Sequence, residues 1–145
     1  MTDTERLMAI EEIQQVKARY FRCMDLKDWA GFTAVFASDG SVDYTPAAVD
    51  SGDWKATGPV NIVALVRKVV ERAISIHHGH MAEVEITSPT TASAIFAMED
   101  LIYWPEGSRY RTMHGWGHYF ETYEKVSGKW LIKTLKLTRL RVEQA

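Results

Sequence analysis

The sequence has little of what would set it apart from ordinary globular proteins. Cys23 is the only cysteine among 145 residues, which excludes an intrachain disulfide and is typical of a reducing compartment. No apolar run reaches the length of a membrane span, and the first residues do not form a signal peptide, so we expect a cytoplasmic protein without a membrane partner. Neither sign of charge dominates, because 17 basic residues stand against 19 acidic ones, and nothing favours nucleic acid as a partner.

The composition and length of the chain are those of a single folded domain. Hydrophobic residues make up 46% of the chain and charged residues 25%, which is the balance of a globular protein. A chain of 145 residues is long enough to bury one substantial core. We find no repeats, low-complexity tracts or linkers, so residues 1–145 are expected to form a single domain.

Apolar residues at helical spacing predict three helices in the first half of the chain. Thr2 and Glu5 have the spacing of a capping box at the start of a long first helix. Asp28 is expected to cap a short second helix that ends at Ser38-Asp39-Gly40, and Gly58-Pro59 to open a third. The inward-facing positions predicted for these helices are Leu7, Ile10, Ile13, Val16, Tyr20 and Met24, then Trp29, Phe32, Val35 and Phe36, then Ile62, Leu65, Val66, Val69 and Val70.

The second half of the chain changes to the period of β-strands. Short turns separate the predicted strands, which indicates an antiparallel meander. Helices followed by a meander define an α+β fold, in which a curved sheet wraps around the helices and leaves a cavity between them. The predicted segments are a strand over Ser41–Thr45, a loop over Pro46–Thr57, and strands over Ile76–Ile86, Thr91–Trp104, Arg109–Lys125 and Lys129–Arg141.

Three of the five histidines lie in the strand segment Ile76–Met81. Histidine exchanges protons near neutral pH and binds metals, so this cluster on an apolar element indicates one of those two chemistries. Strict alternation would turn His78 and His80 inward and His77 outward, unless a bulge at Gly79 reverses the order. A second candidate, Asp25, falls at the end of the first helix, where the helix dipole does not favour a carboxylate and a partner is therefore needed. That partner is a histidine, or else Asp25 bonds Lys27 or caps the next helix.

Several segments resemble one family. The order helix, short helix, strand, helix and long strands resembles the cone-shaped fold shared by nuclear transport factor 2 and the SnoaL-like polyketide cyclases. The segment Asp25–Trp29 and the pair Asp43-Tyr44 look like the corresponding motifs of scytalone dehydratases. The segment Ile76–Gly79 is similar to a strand start in lindane dehydrochlorinases, and Tyr123–Trp130 matches the usual C-terminal hairpin of the superfamily.

The resemblance implies an Asp–His dyad, because both of those lyases use one. Carried onto this chain, it assigns the dyad to Asp25 and His77, needs no cofactor or metal, and gives Tyr44 the role of a hydroxyl that orients the substrate. This chain departs from scytalone dehydratase at a second active-site histidine, where it offers Phe96 or Met98. His114 or His118 could take the place of that histidine, or both could be core or interface residues.

A metal site is the competing hypothesis for the histidine cluster. His78-x-His80 followed by Glu85 superficially resembles the first metal motif of cupins, with His114 or His118 as a further ligand. The long first helix and the missing glycines argue against it, so we predict no metal. The acidic pair Glu99-Asp100 must turn one member inward, where Arg111 or Arg139 would supply a structural partner.

The predicted function is a cofactor-independent, dehydratase-like lyase acting on a small hydrophobic, aromatic or polycyclic substrate. Asp25 and His77 would remove a proton from carbon and return it to the leaving group. The alternatives are a cyclase or isomerase in the same cavity, and a ligand-binding or assembly module without catalysis. Apolar residues on both faces of the sheet further predict a homodimer or homotrimer. The expected substrate-contacting residues are Tyr20, Trp29, Tyr44, Trp54, Phe96, Met98, His114 and His118.

Overall fold

The computed structural model describes residues 1–145. Three α-helices and one 3₁₀ turn pack against a single six-stranded sheet. The helices are α1 (Asp3–Asp25), α2 (Trp29–Thr33) and α3 (Pro59–Val70), the 3₁₀ turn covers Thr45–Ala47, and the strands are β1 (Phe36–Asp43), β2 (Lys55–Thr57), β3 (Ile74–Ser88), β4 (Thr91–Tyr103), β5 (Thr112–Val126) and β6 (Lys129–Gln144).

The predicted helix starts are confirmed. The Glu5 amide donates to Thr2 Oγ1 over 3.1 Å and the Thr2 amide to Glu5 Oε2 over 2.7 Å, which completes the capping box. Asp28 caps α2 by accepting from the Gly31 amide, and Pro59 opens α3. The inward placement of Leu7 is wrong, because this side chain is 67% exposed and the first core residue of α1 is Ala9.

The sheet has the mixed topology of an α+β cone. Its strand order is β2-β1-β6-β5-β4-β3, and β3 to β6 form the predicted antiparallel meander. Strand β1 runs parallel to β6 and pairs with β2 on its other side. The curved sheet does not close, and its inner face packs against the helices over a core of 30 buried residues. The predicted fold class is therefore confirmed.

The segment before the third helix differs from the prediction. Helix α2 ends at Thr33, and Ser38-Asp39-Gly40 lies inside β1, which begins at Phe36. Ser38-Asp39-Gly40 falls in the register shift between Phe36 and Ser41, so these residues form a bulge between two paired stretches of β1 and not the end of a helix. The predicted loop likewise contains the 3₁₀ turn and the short strand β2.

A bulge in β3 determines which histidine faces the helices. The register with β4 shifts between Gly79 and Ala82, so the alternation of side chains reverses there. A Cβ on Gly79 would lie only 2.7 Å from the Phe21 ring, so a side chain here would push α1 away from the strand. The bulge expected at Gly79 is thus present.

None of the helices combines the length and the apolar character needed to cross a membrane.

Candidate active site

A cavity of about 280 Å³ opens between α1, α3 and the inner face of the sheet. Its wall is mostly apolar, with 17 hydrophobic residues among 24. Such walls with a few convergent polar groups are typical of small-molecule sites. Tyr20, Tyr44 and Trp54 line the cavity as placed from the sequence, together with His77. Other members of the wall are Met24, Leu65, Val66, Ile102, Trp104, Met113, Tyr119 and Leu137.

His77 lines the inner end of this cavity and is in direct contact with Asp25, which is not itself part of the wall. Nδ1 of His77 lies 2.6 Å from Oδ1 of Asp25, and the His77 backbone amide donates to Oδ2 over 2.8 Å. These two contacts fix the imidazole relative to the carboxylate. With the Nδ1 proton directed to Asp25, Nε2 carries the lone pair that a general base needs.

Further hydrogen bonds satisfy the carboxylate at the end of α1. The Ser75 hydroxyl donates to Asp25 Oδ1 over 3.0 Å and accepts from Lys27 Nζ over 2.8 Å. Asp25 therefore has three donors from β3, which compensate for its position at the unfavourable end of a helix. The alternative in which Asp25 caps the next helix is wrong, since Asp28 does so.

The far side of the imidazole faces a second carboxylate. Nε2 of His77 lies 3.7 Å from Oδ2 of Asp100, which pairs opposite His77 on β4. Arg139 on β6 holds Asp100 in a two-point contact of 2.7 and 2.9 Å, as one of the two partners expected for the acidic pair. Although burial disfavours its charge, the hydrogen bonds and charge of Asp100 raise the pKa of Arg139. Asp100 and Arg139 also line the cavity, a role that the sequence did not indicate.

Packing holds the His77 ring. The Phe21 ring stacks on it at a centroid distance of 5.8 Å and an interplanar angle of 16°. Only 5% of the His77 side chain is exposed. The close approach of Phe21 depends on Gly79, so a glycine two residues after His77 contributes to the orientation of its ring.

A pair of phenols forms the other polar feature of the wall. The hydroxyls of Tyr20 and Tyr44 lie 2.6 Å apart, so one of them donates to the other. The second hydroxyl keeps its proton for another acceptor. Burial, followed by the neighbouring Tyr119 and Tyr44, raises the pKa of Tyr20 well above its usual value, and burial likewise raises that of Tyr44. Both groups are therefore hydrogen-bond donors across the physiological pH range.

The buried phenols predict a loss of stability at alkaline pH. Tyr20, Tyr119 and Tyr123 are each about 1% exposed, and burial raises the pKa of all three. In the unfolded chain a phenol releases its proton near pH 10, so the folded state holds more protons above that pH. The contribution of these three phenols to stability is complete below pH 10 and should be lost above it by roughly 1.4 kcal/mol per pH unit for each phenol.

Urea unfolding between pH 8 and about 11.5 measures this loss. Phenolate absorbance provides the control. The unfolded chain should titrate all six tyrosines near pH 10, whereas in the folded chain the three buried phenols should stay protonated. A free energy of unfolding that stayed constant above pH 10 would show that these hydroxyls ionise in the folded protein.

A buried ion pair lies behind the phenols. Lys17 Nζ contacts a carboxylate oxygen of Glu121, whose other oxygen accepts from the Tyr123 hydroxyl. The ammonium lies 3.7 Å from the ring centroid of Tyr20 and 3.4 Å from that of Tyr119. Lys17 is a charged residue of α1, but its exposed fraction is only 1%. It follows Ile13 and Val16 and precedes Tyr20 at helical spacing, which is the signal that could have placed it inside.

The outer face of the sheet carries the remaining histidines. His78 and His80 are more than half exposed and approach Glu99 at 3.7 and 3.8 Å, and His114 bonds the same carboxylate over 2.9 Å. Glu85, which the metal hypothesis also counted as a ligand, lies farther along β3, opposite Ser93 of β4. No group of three or more histidine, cysteine, aspartate or glutamate side chains is arranged to hold a metal ion.

The cavity positions predicted for His114 and His118 are wrong. Odd-numbered residues of this part of β5, among them Met113 and Tyr119, face inward, so both histidines turn to the outer face. Trp29 packs against Phe32, near the Arg67 guanidinium, and does not reach the cavity wall.

Two further predicted wall residues are core residues. Phe96 and Met98 face inward from β4 as expected, with exposures of 4% and 2%. Lys17 Nζ of α1 lies 5.8 Å from the Phe96 ring, and the Arg139 guanidinium of β6 lies 3.5 Å from Met98 Sδ. The same strand alternation that turns them inward also turns Asp100 inward, so the pattern of β4 contained the signal for that residue.

Comparison with known proteins identifies the family. Residues 5–136 match the model of the SnoaL-like domain, and the chain belongs to this family. A protein of Gibberella zeae described as a probable cyclase, FGR4, is 27% identical over 135 residues, which cover 88% of this chain and 89% of that protein.

Solved structures with the same fold include two kinds of protein. A hexachlorocyclohexane dehydrochlorinase, LinA type 2, superposes with a TM-score of 0.84 at 18% identity, covering 99% of this chain and 93% of its own. A candidate scytalone dehydratase of Novosphingobium aromaticivorans gives a TM-score of 0.85 at 19% identity, with coverages of 99% and 92%. At these identities the similarity establishes the cone fold.

Proposed function

We propose that the protein is a cofactor-independent lyase of the dehydratase type. The observation that carries the proposal is the contact between Asp25 and His77 at the end of an apolar cavity. In this proposal Nε2 of His77 accepts a proton from an acidic C–H bond of a small, largely apolar substrate. Asp25 stabilises the resulting imidazolium and holds the ring in place.

The elimination then needs no further reactant. The electrons of the broken C–H bond form the new double bond while the bond to a β-hydroxyl breaks. His77 returns its proton to the departing oxygen, so water leaves and the imidazole is neutral again. A halide leaving group would instead depart as the anion, and the proton would pass to solvent.

One pair of polar groups supports the negative charge that develops on the substrate. The proton left over from the Tyr20–Tyr44 pair is available to a carbonyl or enolate oxygen. These phenols are held by packed strands and helices, so little reorganisation is needed during the reaction. The pair of Asp100 with Arg139 fixes the surroundings of His77 on its other side, with both terminal nitrogens of the guanidinium bound to Asp100.

A cyclase or isomerase is the second candidate, favoured by the relative described as a cyclase. The same base and the same oxygen donors would form and hold an enolate, and a new bond or a returned proton would take the place of the leaving group. A module that only binds a ligand is less favoured, because the His77 ring that contacts Asp25 also lines the cavity. Whether the protein forms a homodimer or homotrimer stays a prediction. The exposed apolar side chains of Phe120 and Leu140 on the sheet support it.

Deuterium exchange separates these functions. We would incubate the protein in D2O with a panel of aromatic β-hydroxy ketones, subtract the exchange seen in samples without protein, and follow by NMR both deuterium at the acidic carbon and dehydration of the substrate. Deuterium uptake with loss of water is the expected result. Uptake with a rearranged or cyclised product would favour the second candidate, and binding without uptake for every compound would refute acid–base catalysis.

A further inference from the structure

The mouth of the cavity differs in charge from its inner end. Three cationic residues line the cavity: Lys68, Arg109 and Arg139. Arg139 is 11% exposed and both of its terminal nitrogens bind Asp100. Lys68 and Arg109 are exposed, and therefore mark the side on which the cavity meets solvent.

The two cations at the mouth, Lys68 and Arg109, have fewer and more exposed ion-pair partners than Arg139. Arg109, in the β4–β5 connection, makes one contact of 2.6 Å with Asp50, in the segment before β2. Both side chains of this pair are well exposed, at 72% and 42%, and exposed pairs contribute little stability. Lys68 on α3 takes part in none of the ion pairs of the protein.

The inner end is unsuited to an anion. His77 lies between the carboxylates of Asp25 and Asp100, and the one guanidinium there already has its carboxylate partner. A ligand carboxylate placed there would face two like charges in a partly desolvated site. At the mouth the same group would meet two cations against the single carboxylate of Asp50.

We propose that the cavity selects aromatic or alicyclic acids and binds them with the carboxylate at the mouth, between Lys68 and Arg109. Asp50 is the intramolecular competitor of that carboxylate for Arg109. The apolar body of the ligand lies against Trp54 and Trp104, and the opposite end of its ring system points to His77. This inference deepens the proposed function, because it assigns the orientation in which the substrate would meet the dyad.

Paired ligands of equal shape test the charge requirement. We would measure the affinities of 2-naphthoate and of its neutral amide, 2-naphthamide, by calorimetry at low salt. The expected result is that the carboxylate binds about 5-fold more tightly. This preference should decrease at high salt, since the cations at the mouth are exposed. Equal affinities, or no binding of either compound, would overturn the proposal.

Three variants test the residues. Lys68→Met combined with Arg109→Met should bring the ratio of carboxylate to amide affinity close to one, whatever the change in the affinity for the amide itself. Asp50→Asn should raise the affinity for the carboxylate about 2- to 5-fold, because Arg109 loses its competing partner. The matched control is Arg111→Met, in the same connection but outside the cavity wall, which should keep the preference.

The outcomes also separate this inference from the proposed function. A preference that persisted in the double variant would show that the carboxylate binds elsewhere, with Arg139 as the first alternative, and would overturn the inference. If the carboxylate preference behaved as expected while no compound exchanged deuterium, the lyase proposal would fail and the binding site at the mouth would stand. Circular dichroism checks that the exposed substitutions leave the fold intact.

Discussion

Replacing His77 by glutamine is expected to lower proton transfer from a carbon acid by about 10²- to 10⁴-fold, the usual contribution of a positioned general base. Glutamine keeps the backbone amide that donates to Asp25 but offers no basic nitrogen at the cavity. Asp25→Asn should have an effect of the same order, because an amide can direct its N–H groups at Nδ1 and shift the proton to Nε2. The imidazole would then hold a proton on the nitrogen that must accept one.

Deuterium exchange at the acidic carbon measures both variants without requiring the natural leaving group. The matched controls are His78→Gln, whose side chain is 55% exposed, and Asp28→Asn, which preserves a helix cap that asparagine also provides. Both controls should exchange at the rate of the unmodified protein. Full exchange in His77→Gln or Asp25→Asn would remove the dyad from the mechanism.

The second large effect is expected from the buried lysine. Lys17→Met leaves the Glu121 carboxylate without its cation in a site where both side chains are at most 2% exposed. Breaking a buried pair by removing one partner typically costs about 3–5 kcal/mol. We expect a decrease of this size in the free energy of unfolding in urea at pH 7.

Removal of the whole polar group should restore stability. The triple variant Lys17→Met, Glu121→Leu, Tyr123→Phe leaves no buried charge and no orphaned hydroxyl at this position. It should be at least as stable as the unmodified protein. The reason is that both charges lose their hydration in a buried site, a cost that their attraction often fails to repay. Burial lowers the pKa of Lys17 to about 8, which is the direction that this cost predicts. A triple variant as unstable as Lys17→Met would show that the pair is a net source of stability.

A surface substitution on the same helix provides the control. Arg19 is exposed, and Arg19→Met should change the free energy of unfolding by no more than about 0.5 kcal/mol. A large effect there would indicate that helix α1 tolerates few substitutions of any kind, and the comparison with Lys17 would lose its meaning.

Local sequence signals located most of the helices and strands and failed where long-range pairing decides. Thr2, Asp28 and Pro59 mark helix starts because capping and proline geometry act over a few residues. The turn signal at Ser38-Asp39-Gly40 marks a bulge within β1 and not the end of a helix, because β6 pairs with Phe36 before it and with Ser41 after it. Nearly a hundred residues separate these two strands in sequence, so local patterns carried no trace of their parallel pairing.

The choice between His77 and His78 shows the same limit at the site. Strand alternation favoured His78 and family resemblance favoured His77. The structure turns His77 inward because the register of β3 against β4 changes after Gly79. The spacing of α1 also contained Lys17 on its buried stripe, but a lysine there becomes intelligible only once Glu121, 104 residues later, is placed against it.

Composition and periodicity by themselves determined that this chain forms helices followed by a meander, with Asp25 at a helix end and histidines on a strand. Only the tertiary structure decided that Asp100 and Arg139 border the same cavity, that His114 and His118 lie outside it, and that opposite charges meet at its mouth. The physical reason is that periodicity assigns a residue to a face, whereas contact between faces depends on register, bulges and helix packing. Those are properties of the assembled sheet.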